Sequence, residues 1–129
     1  MLAAAVLTVA VSCGSSGTVG ESSEQIVSAP IVIVLNGCGI PGAARHMADT
    51  IRSMGYDVGN GHGENADSFD YPNTLVVDLA GDMKTARAIG EKLGAQTIQQ
   101  ISHDPDRFGT VAVIVGADYR RRLVTLHED

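Results

Sequence analysis

The chain has 129 residues, 44% of them hydrophobic but only 4% aromatic, and a formal charge of -6. That length supports one domain of the usual roughly 100 to 150 residues, with a core built from Val, Ile, Leu and Ala. The acidic balance argues against a nucleic-acid surface, which needs clustered Lys and Arg, and the single basic run, Arg120 to Arg122, reads as a solvated edge.

Leu2 to Val11 is almost wholly apolar. It reaches about half of the roughly 20 residues that a helix needs to span a bilayer. Followed by small residues, it fits the hydrophobic region and cleavage site of a secretory signal, although no Lys or Arg precedes it. Ala10, Val11, Ser12 and Cys13 resemble the lipobox of bacterial lipoproteins. The expectation is therefore a signal peptide over residues 1–12, with Cys13 lipidated and anchoring the chain to the membrane from the extracytoplasmic side. Residues 13–30 are rich in Gly, Ser, Thr and Glu, the composition of a flexible linker.

The folded part is expected over residues 31–122, with a tail over 123–129. Ile31 to Leu35 is an unbroken aliphatic run and reads as a buried strand. Ile40, Ala44, Met47, Ala48, Ile51 and Met54 recur at helical steps, with Pro41 placed for the first turn and Gly55 for the C-terminal cap. Tyr56 to Val58 reads as a weak strand that dissolves into a polar loop, and Leu75 to Leu79 as the next strand. Asp82 is placed to cap a second helix whose inner face is Ala86, Ile89, Gly90 and Leu93, closed by Gly94. Thr97 to Ile101 and Val111 to Val115 complete the strands, separated by a loop around Asp104, Pro105 and Asp106. The order β-α-β-β-α-β-β predicts an α/β two-layer sandwich of the α+β kind, a small mixed sheet with two helices on one face.

Gly37, Cys38, Gly39, Ile40, Pro41 and Gly42 satisfy G-x-G-x-x-G between a strand and a helix. This is the setting of the dinucleotide fingerprint, in which the glycines let a pyrophosphate approach a helix N-terminus. The folded part is too short for both nucleotide halves, so the glycines are read as serving a tight turn and close packing. Cys38 beside a helix start could be an activated thiol, but no base is assignable to it. His46, His62, His103 and His127 show no metal-ligand spacing. No catalytic residue, metal or cofactor is expected.

Three segments in order, VIVLNGCGIPG (Val32 to Gly42), NADSFDYPNT (Asn65 to Thr74) and VIVGADY (Val113 to Tyr119), resemble the LytR C-terminal domain family. The resemblance covers Ile31 to about Tyr119. It implies an extracytoplasmic accessory module, usually C-terminal to a membrane anchor and often beside a wall-polymer ligase domain, which is not expected in this chain. Cys38 departs from the small polar residue expected there.

The reading is a non-catalytic envelope lipoprotein whose partners are peptidoglycan, a wall glycopolymer or envelope-assembly proteins, with the membrane reached through the lipid and no nucleic acid. Its rival is a small nucleotide- or thiol-dependent enzyme using Gly37 to Gly42 and Cys38. The interaction surface is expected where the turn Asn36 to Gly42 meets the loop Asn65 to Tyr71. Its candidate residues are Asn36, Gly37, Gly39, Gly42, Asn65, Asp67, Ser68 and Tyr71, which offer amides, hydroxyls and one aromatic ring to a sugar.

Overall fold

The computed structural model describes residues 29–102 and 109–127, with the backbone alone for 124–127. The expected leader, Cys13, nearly all of the linker and the loop residues His103 to Asp106 lie outside the described residues.

The order is β1 (Ile31–Asn36), α1 (Ala43–Ser53), β2 (Asp57–Val58), β3 (Glu64–Asn65), β4 (Leu75–Asp78), α2 (Lys84–Leu93), β5 (Gln96–Gln99), β6 (Val111–Val115) and α3 (Tyr119–His127). The strands form one mixed sheet in the order β2-β1-β6-β4-β5, with β3 also pairing β1. Parallel pairs join β1 to β2, β3 and β6 and β4 to β5, whereas β4 runs antiparallel to β6. The fold is the expected α+β sandwich.

Strand alternation sorts the aliphatic residues onto two faces. Val32, Val34, Val76, Val111, Val113 and Val115 face the helices and pack with Ala44, Met47, Ile51, Ile89, Leu93 and Tyr119. Ile33, Val77, Leu79 and Ala112 form a smaller cluster on the opposite face. Ile89 and Leu93 are fully buried, and each contributes roughly 1.5 to 3 kcal/mol, which outweighs the roughly 1 kcal/mol that Gly90 costs within α2. Gly90 is required there. A Cβ on it would lie 2.2 Å from Thr97 Oγ1, so α2 approaches β5 closely only through glycine.

Four expectations change in detail. Pro41 does not open α1. It occupies the second position of a turn closed by the Ala43 N–H donating to the Ile40 carbonyl at 3.1 Å. Gly42 follows at φ 83°, ψ -7°, a type II geometry that favours glycine at that place. Asp82 is not the residue before α2: Met83 is, in the left-handed region at φ 60°, while Asp82 Oδ1 accepts from the Lys84 N–H at 3.1 Å. The approach to α2 is organised by Asp78, at the end of β4. Its carboxylate accepts from the backbone N–H groups of Ala80, Gly81 and Met83 and from Gln99 Nε2.

The polar loop after β2 holds the further short strand β3. Between β2 and β3, Asn60 takes the place of a paired strand residue. Its Oδ1 accepts from the Val34 N–H at 3.0 Å and its Nδ2 donates to the Val34 carbonyl at 2.8 Å. Finally, the basic edge and part of the tail are helical, forming α3, which packs against both α1 and α2.

Candidate functional site

The turn after β1 is built on Asn36, which is only 9% exposed. Its Oδ1 accepts from the N–H groups of Cys38 at 3.1 Å and Gly39 at 2.9 Å, and its Nδ2 donates to the Ile40 carbonyl at 3.1 Å. One short amide thus satisfies three backbone groups that the reversal leaves without ladder partners. The Cys38 thiol donates to the same Oδ1 at 3.4 Å.

The loop from Asn65 to Tyr71 lies directly on this turn. Asn65 pairs with Asn36 in the β1–β3 register. The Ala66 N–H donates to the Asn36 carbonyl at 2.9 Å and the Tyr71 N–H to the Gly37 carbonyl at 3.0 Å. The phenol of Tyr71 donates to Asp67 Oδ1 at 2.9 Å. That bond raises the Tyr71 pKa above its ordinary value, with partial burial and the Asp67 charge acting in the same direction. Ser68 Oγ accepts from the Asp70 N–H at 3.4 Å, a local loop contact.

The first two glycines of the G-x-G-x-x-G run serve these aromatic residues. A Cβ on Gly37 would sit 2.6 Å from the Tyr71 ring, and one on Gly39, at φ 74°, would sit 3.1 Å from the Phe69 ring. The space that the missing side chains leave is filled by the protein's own rings. Gly42 has nothing within 4 Å of its Cβ position and is explained by its turn.

Two depressions adjoin the loop. The larger, of about 700 Å³, lies on the sheet face opposite the helices. Leu35, Val77, Ala112 and Ile114 form its floor, Asn65, Asp67 and Tyr71 one rim, and Gln100, Ile101 and Ser102 the other. The smaller, of about 250 Å³, lies by the start of α1 and is lined by Asn36, Gly42, Arg45, His62, Glu64 and Asn65 among others. The expected site residues therefore divide. Asn65, Asp67 and Tyr71 face the groove, and Asn36, Gly42 and again Asn65 line the small depression. Gly37 and Gly39 lie beneath rings, while Ser68 is exposed on the loop.

The far rim, Gln100 to Ser102, was not anticipated, because it depends on β5 lying two strands away from β6 across β4. The VIVGADY segment also fixes a corner of the fold through Asp118. Asp118 Oδ1 accepts from the Thr74 N–H at 2.7 Å and from its hydroxyl at 2.8 Å, and Asp118 Oδ2 accepts from Arg122 Nε at 2.7 Å. An Asp four residues before an Arg was the available signal for that ion pair.

Among the described residues, no three His, Cys, Asp or Glu side chains converge as metal ligands, and no helix is long and apolar enough to cross a membrane. The family described as LytR cell envelope-related transcriptional attenuator matches residues 31–119, from the first residue of β1 to the first of α3. No curated protein and no solved structure shows a significant match.

Proposed function

The chain belongs to the LytR cell envelope-related transcriptional attenuator family and carries its envelope-associated domain, and on that basis we propose that it is a non-catalytic accessory module whose open groove binds peptidoglycan or a wall glycopolymer. The observation that carries this reading is the groove's mixed lining. Its aliphatic floor suits the apolar face of a sugar ring or a methyl group, and Asp67, Asn65 and Gln100 along the rims offer partners for hydroxyls and acetamido groups. The lipid on Cys13 is the proposed tether. Against the enzyme reading, aromatic rings occupy the space beside Gly37 and Gly39, and the Cys38 thiol donates to an amide oxygen rather than to a base. The test is retention of the full-length protein on isolated peptidoglycan, measured with the melting temperatures of Asp67→Ala and Gln100→Ala. A several-fold loss of retention at unchanged melting temperature is the expected result, and unchanged retention would overturn the groove assignment.

A further inference from the structure

The nine Lys and Arg residues of the chain look scattered in sequence, yet the fold gathers them. Two lie on α1, three on α2 and three on α3, and the ninth, Arg107, is outside the described residues. On α1 and α2 the opposing acids are Asp49 and Glu91 alone. A chain of net charge -6 thus has a helical layer of the opposite sign.

Within that layer the cations are densest at one end. Because β6 runs parallel to β1 and antiparallel to β4, α1 and α3 begin at the same end at which α2 finishes. Side-chain contacts connect the three helices there. The His46 and Tyr119 rings lie 6.5 Å apart and the Arg120 guanidinium lies 5.7 Å from the Tyr119 ring centroid, so α1 meets α3 through Tyr119. Arg122 lies against Gly94, just past Lys92 at the end of α2. By these contacts and the helical step, the cations run as a belt across the three helices in the order Arg45, Arg120, Arg121, Arg122, Lys92, with the His46 ring between the first two. The buried carboxylate of Asp118 is bound to Arg122 beneath it. The N-terminal ends of α1 and α3 add positive potential at the same place, and Lys92 and Arg122 stand against the negative C-terminal end of α2.

We propose that this belt binds a linear polyanion, a polymer with a phosphate or carboxylate in each repeat, on a surface separate from the groove. The inference rests on the envelope reading only for where such a polymer would be met. A row of cations crossing three helices matches charges repeated along a chain. It does not match an anionic lipid surface as well, because the large apolar side chain exposed beside the start of α1, Phe69, is flanked by Asp67 and Asp70, which such a surface would repel. At the α1 end of the belt, Arg45 shares the lining of the small depression with the acidic Glu64.

The probe is long-chain inorganic polyphosphate, titrated into the full-length protein at several salt concentrations. The log of the affinity should fall linearly with the log of salt, as ion release requires, and Arg45→Gln combined with Arg121→Gln should weaken binding at least roughly tenfold and lower that slope. Arg45→Gln alone, at an exposed position, should give part of the loss at an unchanged melting temperature. Arg52→Gln combined with Lys84→Gln removes the same charge at the other end of α1 and α2 and should leave affinity within about twofold. Absence of polyphosphate binding, equal losses in the two double variants, or tighter binding to phosphatidylglycerol vesicles than to polyphosphate would each overturn the proposal. None of these outcomes depends on retention by peptidoglycan, so the groove and the belt can fail separately.

Discussion

At Gly37 a single methyl group is enough to test how the turn is built. Its Cβ would meet the Tyr71 ring at 2.6 Å and the Ile114 side chain at 2.8 Å, and an overpacked site of this kind costs about 1 to 3 kcal/mol. Gly37→Ala should lower the melting temperature accordingly, and adding Tyr71→Ala should restore part of the loss, so that the two effects are not additive. Additive losses would show that the ring is not what the glycine accommodates. Tyr71→Phe removes only the phenol–Asp67 bond, an exposed loop contact at the low end of the roughly 0.5 to 1.5 kcal/mol of a hydrogen bond, and should cost less than Gly37→Ala. The meeting of this turn with the loop from Asn65 could be reasoned from chain order. The use of Asn36 and Gly37 could not, because a short amide and a glycine look the same in sequence whether they face a ligand or hold their own backbone.

Among the elements, α1 and α2 were legible because their buried residues repeat at helical spacing, and the inner face read for α2, Ala86, Ile89, Gly90 and Leu93, is the buried one. β3 was not, since both of its residues are polar and exposed and only the β1 edge defines it. α3 was missed because its described inner residues, Tyr119 and Leu123, are separated by three arginines. Its start is fixed by the clasp of Thr74, Asp118 and Arg122, which ties α3 to the residue before β4. Gly116 completes that corner: a Cβ there would lie 2.2 Å from the Asn73 carbonyl carbon, and its N–H donates to Thr74 Oγ1 at 3.1 Å. Asp118→Ala leaves the Thr74 N–H and the Arg122 guanidinium without this acceptor, at a cost of about 2 to 3 kcal/mol. Chemical denaturation should show that loss. A change below about 0.5 kcal/mol, the usual size for an ordinary surface site, would mean that the clasp holds nothing.

For the molecule as a whole, Asp78 and Asp118 set the acid limit. Burial alone would raise both pKa values. It is outweighed at Asp78 by the bonds from Gln99 and three backbone N–H groups, and at Asp118 by Thr74 and Arg122, so both carboxyls lie below the ordinary range. The unfolded chain then takes up protons first, near the ordinary carboxylate pKa of about 3.9. Their stabilisation is complete above that value and is lost as the pH falls through the lower, folded pKa values. The melting temperature should be level between about pH 7 and 5 and fall steeply below about 4, less steeply in Asp118→Ala; an identical acid limb in the variant would remove Asp118 from this account. At the other end of the chain, Cys13→Ala should release the protein from the membrane fraction and abolish lipid labelling, and an unchanged distribution would refute the anchor. The placing of β6 has one more consequence, in time rather than in space. The Ile31 N–H donates to Thr110 Oγ1 across 79 positions, and β6 joins β1 to β4 at the centre of the sheet. Before Val111 to Val115 is available, β1 with its short partners and β4 with β5 are two ribbons with no strand between them. Folding must wait for the closure of that long loop, which is slow relative to local structure. A chain threaded outward N-terminus first would stay open until its last strand had passed, and would then close in a single cooperative step.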